Sequence, residues 1–183
     1  MKNVLVLAAH ADDERLGCGG FFEKFNKKYN FIIHTFSCRG FKMDQRLSTE
    51  PISHWSKKIE EFLSKKTKYD IIFTHSLDDL NEDHRVIAEA TLIACRKYPA
   101  DIYAYEVPCY NYNVFTFKPN FYVELNALQL ADKIDKMETF YPEELNDDYS
   151  PRSYWGITNL AGYRGMQIGK QYAEAFQLIR KII

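Results

Sequence analysis

The sequence predicts an α/β domain with a largely parallel sheet. Short apolar runs alternate along its 183 residues with longer segments of helical periodicity. The first run, Val4-Leu5-Val6-Leu7-Ala8, is apolar at every position, as a strand covered on both faces must be. Two of the runs end in clusters of histidine and carboxylate side chains. The carboxyl ends of strands are where open α/β sheets place their ligands.

The first strand covers 4–9, and the helix after the acidic loop starts near Leu16. Gly17, Gly19 and Gly20 fall at its start and suit close packing of helix on strand. Phe31–Ser37 is the second strand, followed over Cys38–Arg46 by a loop, or by a short strand and then a loop. After Pro51, the residues Ile52, Trp55, Ile59, Phe62 and Leu63 recur at helical spacing, with Glu and Lys on the other face. Asp70–Thr74 is the third strand. The segment from Asp83 to Lys97 is a helix with Val86, Ile87, Ala90, Ile93 and Ala94 inward. Ile102–Val107 is a further strand, and the stretch from Tyr110 to Tyr122 is rich in aromatic side chains. A helix spans Ala127–Phe140. The last element is expected to be one long helix from Ser153 to Ile182, along which small residues at 161/162, 165, 169 and 173 form a stripe for close packing. No repeat, linker or low-complexity tract interrupts the chain. Residues 1–183 therefore read as one domain, long enough to bury roughly 70% of its unfolded surface.

Composition excludes several classes. Apolar residues make up 46% and charged residues 27%, and the net charge is −1 with basic residues scattered, which leaves no footprint for nucleic acid. Lys57, Lys58, Lys65 and Lys66 share a helix with Glu60 and Glu61, the pattern of a solvated face. The N-terminal apolar run is too short for a signal peptide, and no stretch approaches the roughly 20 apolar residues of a membrane span. Cytoplasmic residence is the expectation. The four cysteines show no C-x-x-C spacing and are expected as reduced thiols, mostly in the core. The composition is compatible with a homo-oligomer.

The chemistry lies in two loops. Taken alone, Ala9-His10-Ala11-Asp12-Asp13-Glu14 could simply cap a helix, with Glu14 favouring the first turn electrostatically. The second cluster, Asp79-Leu80-Asn81-Glu82-Asp83-His84-Arg85, follows the third strand and changes the reading. His10, Asp13 and His84 together offer two nitrogens and one oxygen with one side open, the pattern of a catalytic metal site. Asp12, beside a ligand but free of the metal, could take the proton from a metal-bound water. Two histidines and a carboxylate also serve non-haem iron oxygenases, whose all-β scaffolds do not suit this pattern of elements. His34 is expected in the core and His54 on an exposed helix face. His75 is either a plain loop histidine or a support for the ligands. Arg164 is placed to reach substrate or to pair with a buried acid.

The blocks AHADDERLGCGG (9–20), DLNEDHR (79–85) and GYRGMQIGKQYAEAFQLIR (162–180) together resemble the PIG-L/LmbE-like metal-dependent deacetylases. YEVP (105–108), FKPN (117–120) and PRS (151–153) extend the resemblance over nearly the whole chain. The resemblance implies a Rossmann-like three-layer fold and a zinc-dependent hydrolase that removes the N-acetyl group from an amino sugar, of the N-acetylglucosamine type, or from a sugar conjugate. It places the metal ligands on His10, Asp13 and His84 and the general base on Asp12. It gives Asp83 and Arg85 the task of orienting the site, and Arg164 matches the arginine of the family's C-terminal block. Asp44 and Arg46 match a D-N-R-like turn. Zinc is the implied ion, and iron(II) or manganese could occupy the same ligands.

The sequence also departs from the family. Ala11 stands where the first loop usually has proline, and Asn81 where many members have a second histidine. No histidine follows His84, which leaves Tyr110 or Tyr112 to stabilise the oxyanion. The connection after Ser37 is too short for a crossover, which needs a dozen or more residues. The sheet is therefore expected to lack one strand–helix unit and to leave one side of the pocket more open. The alternatives are an amidase acting on a larger acyl or conjugate amide, and a non-catalytic sugar-binding protein derived from the enzyme.

Overall fold

A computed structural model describes residues 1–37, 46–110, 117–145 and 149–183. Its strands are β1 (Lys2–Ala8), β2 (Tyr29–Thr35), β3 (Ile71–His75), β4 (Asp101–Tyr105), β5 (Phe121–Leu125) and β6 (Tyr172–Arg180). They form one sheet in the order β2-β1-β3-β4-β6-β5. β1 to β4 pair in parallel, and β6 runs antiparallel between β4 and β5. The helices are α1 (Asp13–Phe25), α2 (Ile52–Leu63), α3 (Glu82–Ala94), α4 (Ala127–Phe140) and α5 (Tyr154–Met166).

Alternation along β1 builds the three layers. Val4 and Val6 join a core with Leu16 and Phe21 of α1, Leu130 and Ile134 of α4, and Ile157 of α5. Leu5 and Leu7 face the other way, onto Trp55 and Ile59 of α2 and Ile87 and Ala90 of α3. Each such side chain contributes roughly 1.5–3 kcal/mol on full burial, so both faces of the sheet hold it between helices. Gly17 permits the closest contact of this packing, since a Cβ there would stand 2.2 Å from the Tyr105 ring. β2 is half-buried and forms one edge of the sheet among the described residues, as expected if an outer strand–helix unit is missing.

Two expectations need correction. α1 begins at Asp13, not Leu16, so the acidic loop forms its first turn. The long C-terminal helix and its stripe of small residues do not exist: α5 ends at Met166, and β6 follows. Gly169 turns the chain at φ 68°, where the Lys170 N–H donates to the Gly165 carbonyl at 2.9 Å. Beyond it, Phe176 faces the α1/α4/α5 layer, while Ala175 packs with Ala104 and Phe117 on the opposite side. That alternation has the two-residue period of a strand. Local helix formers (Lys170, Gln171, Ala173, Glu174, Ala175) gave way to pairing on both edges, which only the assembled sheet offers. At the other end of the sheet, the connections from β1 and from β3 leave toward opposite sides, and the crevice between their carboxyl ends holds the two polar loops.

Candidate metal centre

His10 and Asp13 come from the β1–α1 connection, and His84 from the first turn of α3. His10 Nδ1, His84 Nε2 and Asp13 Oδ2 are mutually 3.3 Å apart. An ion held tetrahedrally at roughly 2.0–2.1 Å from each donor spaces them roughly 3.3–3.4 Å apart. The donor set therefore fits a divalent cation. Asp13 is fully buried, and its Oδ1 has no hydrogen-bond partner. Arg152 Nη2 lies 3.9 Å from that oxygen, beyond hydrogen-bond distance, so a cation among these donors would complete the compensation of the buried carboxylate.

Each ring is aimed by a carboxylate on its other nitrogen, which leaves one nitrogen for the centre. Asp79 Oδ2 lies 2.9 Å from His84 Nδ1, and Asp83 Oδ2 lies 3.1 Å from His10 Nε2. These supports are themselves held. Asp83 accepts the Ser48 N–H at 2.8 Å, and the Arg85 guanidinium donates to the Asp79 and Leu80 carbonyls at 2.7 Å each. His75, at the end of β3, is fully buried and stacks on His84 with ring centroids 4.0 Å apart. Its Nε2 accepts the Ala9 N–H at 2.9 Å and lies 3.0 Å from the Tyr105 hydroxyl.

The electrostatics separate these groups. Burial works against charge on Asp13, yet the His84 ring and hydrogen bonds from His10 and His84 hold it well below the usual carboxylate range. His84 is itself raised to about 9, burial being outweighed by Asp13 and Asp79. Burial and the neighbouring His84 hold His75 well below the ordinary histidine value, so it stays neutral.

Asp12 differs from its neighbour. It is buried and sits at φ 111°, a region that a residue other than glycine occupies at a cost of order 1–3 kcal/mol. Its side chain makes no capping bond to α1, which sets aside the simple capping reading. The carboxylate instead receives Arg152 Nη1 at 3.0 Å. Its N–H donates to Glu14 Oε2 at 3.2 Å, and Glu14 Oε1 accepts the Tyr141 hydroxyl at 2.6 Å. Burial and the Asp13 carboxylate push Asp12 up to about 7, against the opposing pull of Arg152. A carboxylate titrating near neutrality beside a metal-competent triangle is equipped to accept and return a proton.

The remaining expected residues fall elsewhere. Arg164 is buried, and its guanidinium bonds to both Glu106 oxygens, at 2.8 and 2.6 Å. Of its two expected roles, pairing with an acid is the one present, although Glu106 is only half-buried. Arg46 is exposed just before a 3₁₀ turn (Leu47–Thr49), and Tyr110 is exposed beyond β4. Asp44 and Tyr112 lie outside the described residues. His34 is only half-buried on the edge strand, not a full core residue, and His54 is partly exposed. Sequence reasoning missed the grip of Arg152 on Asp12 and that of Asp79 on His84. The PRS block (151–153) carried the first signal, and the need of a ligating histidine for a partner on its second nitrogen carried the other.

No family model and no curated protein sequence matches the chain. Solved structures do match it over essentially its full length. The conserved protein TT1542 from Thermus thermophilus is 19% identical with a TM-score of 0.70, covering 100% of this chain and 97% of that one. GalB, the 4-carboxy-2-hydroxymuconate hydratase from Pseudomonas putida KT2440, is 17% identical at 0.72, covering 100% and 98%. N,N'-diacetylchitobiose deacetylase from Pyrococcus horikoshii is 17% identical at 0.74, covering 97% and 84%. These likenesses establish the fold. A hydratase and a deacetylase share it, so the reaction has to be argued from the side chains.

Proposed function

We propose that this chain, which has the α/β fold of the deacetylase structures it matches, is a PIG-L/LmbE-like metal-dependent deacetylase. It removes the N-acetyl group from an amino sugar or sugar conjugate. The observation that carries the reading is the 3.3 Å triangle of His10 Nδ1, His84 Nε2 and Asp13 Oδ2 with Asp12 beside it. Zinc is the expected ion, bound by those three side chains; when present it lowers the pKa of water and polarises the acetyl carbonyl.

The protein's own groups do the rest. Asp12 takes the proton from the attacking water and returns it to the departing amine. Arg152 holds the Asp12 carboxylate in place, and Glu14 with Tyr141 steadies the backbone that presents it. Asp79 and Asp83 keep the two rings turned inward. The test is metal analysis of the purified protein together with a screen for amine and acetate release from N-acetylated amino sugars. Zinc at one ion per chain with acetate released supports the reading. Hydration of an unsaturated acid without amine release, as the likeness to GalB would suggest, replaces it. Faster release of longer acyl groups than of acetate selects the amidase alternative instead.

A further inference from the structure

Among the described residues, the two edges of the sheet are built differently. β5 is five residues long, carries the exposed Glu124 in an ion pair with Lys170 at 3.1 Å, and has the Glu124 carbonyl covered by Lys24 Nζ at 2.5 Å. Short length, charge and a covering side chain are what keep an edge strand from pairing. β2 has none of these. Its seven residues, from Tyr29 to Thr35, include no Asp, Glu, Lys, Arg or Pro and pair with β1 in unbroken register. Ile33, near the middle of the span, is 41% exposed.

The Phe36 N–H donates to the Ala8 carbonyl at 3.0 Å, and the Asp70 N–H to the Asn3 carbonyl at 2.9 Å. Even-numbered residues of β1 therefore bond toward β2, and the even-numbered residues of β2 bond back. The N–H and C=O groups of Tyr29, Phe31, Ile33 and Thr35 are left pointing outward. An antiparallel second β2 centred on Ile32 sets Phe31 opposite Ile33 and Tyr29 opposite Thr35, so every outward group of both strands meets a partner. Phe31 and Ile33 then share the face that Phe21 and Phe22 line. The ends match in charge. The same register brings Lys27 and Lys28, exposed just before one β2, beside Phe36 and Ser37 after the other. The Ser37 N–H donates to the Ala9 carbonyl at 2.9 Å, next to His10, around which Asp12, Asp13 and Asp83 concentrate negative charge.

We propose that two copies of this chain pair through β2 about a two-fold axis at Ile32, joining their sheets and setting Lys27 and Lys28 of each at the rim of the other's metal-binding loop. The pairing is independent of the reaction. Sedimentation equilibrium over a concentration series is expected to give twice the chain mass. Ile33→Pro removes an outward N–H that β1 does not use, and Ile33→Lys supplies the charge that the edge lacks. Both variants are expected to sediment as monomers with an unchanged circular dichroism spectrum. Where proline costs the fold, the lysine variant decides. Ile32→Cys, with Cys38 and Cys109 changed to serine, is expected to cross-link to itself under mild oxidation, because opposed Cα atoms in such a pair stand about 4.5 Å apart. Asn30→Cys in the same background is expected not to, since this register holds the two thiol positions roughly 13 Å apart. A wild-type monomer at every concentration, a dimer that persists in both Ile33 variants, or no cross-link at Ile32 overturns the pairing. A monomer that releases acetate loses the pairing and keeps the deacetylase reading.

Discussion

Asp12 and Asp13 are neighbours in the chain with opposite chemistry. Asp13 is held charged by the His84 ring, while Asp12 is pushed up to about 7 by burial and by Asp13 itself. The division of labour predicts a division of phenotypes. Asp12→Asn keeps the metal, since asparagine tolerates the positive φ, and lowers kcat by at least about a hundredfold. His84→Ala loses the metal as well as turnover. Elemental analysis alongside initial rates separates the two, and loss of metal from the Asp12→Asn protein would reverse the assignment. At this level the sequence was informative: a histidine and two acids at one strand end, and a second histidine at another, marked the four central residues. For Arg152 and Asp79 it offered only a hint, the PRS block and the need of a ligating histidine for a second partner, because nothing in a single chain tells which of several charged residues turns toward the site.

The elements show where local pattern stopped being a guide. β1, β3, α2, α3 and α4 were legible because their apolar spacing matches the faces they bury, except that Ile93 of α3, expected inward, is exposed, and Ala88 and Thr91 are buried in its helix. β6 was not. Its Glu174 side chain enters the helical layer, accepting the Gly20 and Phe21 N–H groups at 2.7 and 2.6 Å and Lys133 Nζ at 2.7 Å. Lys133, on α4, also donates to the Leu16 carbonyl of α1 at 2.7 Å. Breaking such a buried pair by removing one partner costs about 3–5 kcal/mol. Lys133→Met is therefore expected to lower the unfolding free energy measured by urea titration by that amount while leaving metal content unchanged. At the turn before β6, Gly169→Ala puts a side chain at φ 68° and is expected to cost about 1 kcal/mol in the same unfolding measurement. If Gly169→Ala proves neutral, the turn is not what stops the helix.

The metal centre draws donors and their supports from the ends of β1 and β3, from α1 and α3, and from the loop before α5, so binding there bears on the stability of the assembled sheet. An ion that binds only the folded chain adds about 4 kcal/mol at a thousandfold excess over its dissociation constant. Chelation is expected to lower Tm by several degrees, and zinc to restore it. The pH dependence has a definite sign. In the metal-free protein the folded chain holds the His84 proton more tightly than the unfolded chain does. That contribution to stability is complete below the ordinary histidine value of 6.5 and is lost as the pH rises through about 9. Zinc needs the same nitrogen deprotonated, so its affinity rises over that window. Calorimetric scans of the two forms from pH 6 to 9 should diverge. Parallel curves would remove His84 from the ligand set.

Hydrophobic periodicity and the order of the polar loops determined, without coordinates, an α/β domain with chemistry at the carboxyl ends of its first and third strands. Both signals are local, written within stretches of ten or so residues. The tertiary structure alone decided that the tail pairs as β6 and that Arg152 crosses to Asp12. It also decided that Arg164 is taken by Glu106 and that three donor atoms meet at 3.3 Å. Each of these joins residues far apart in the chain. Strand pairing and charge burial are settled by partners that exist only once the sheet has formed.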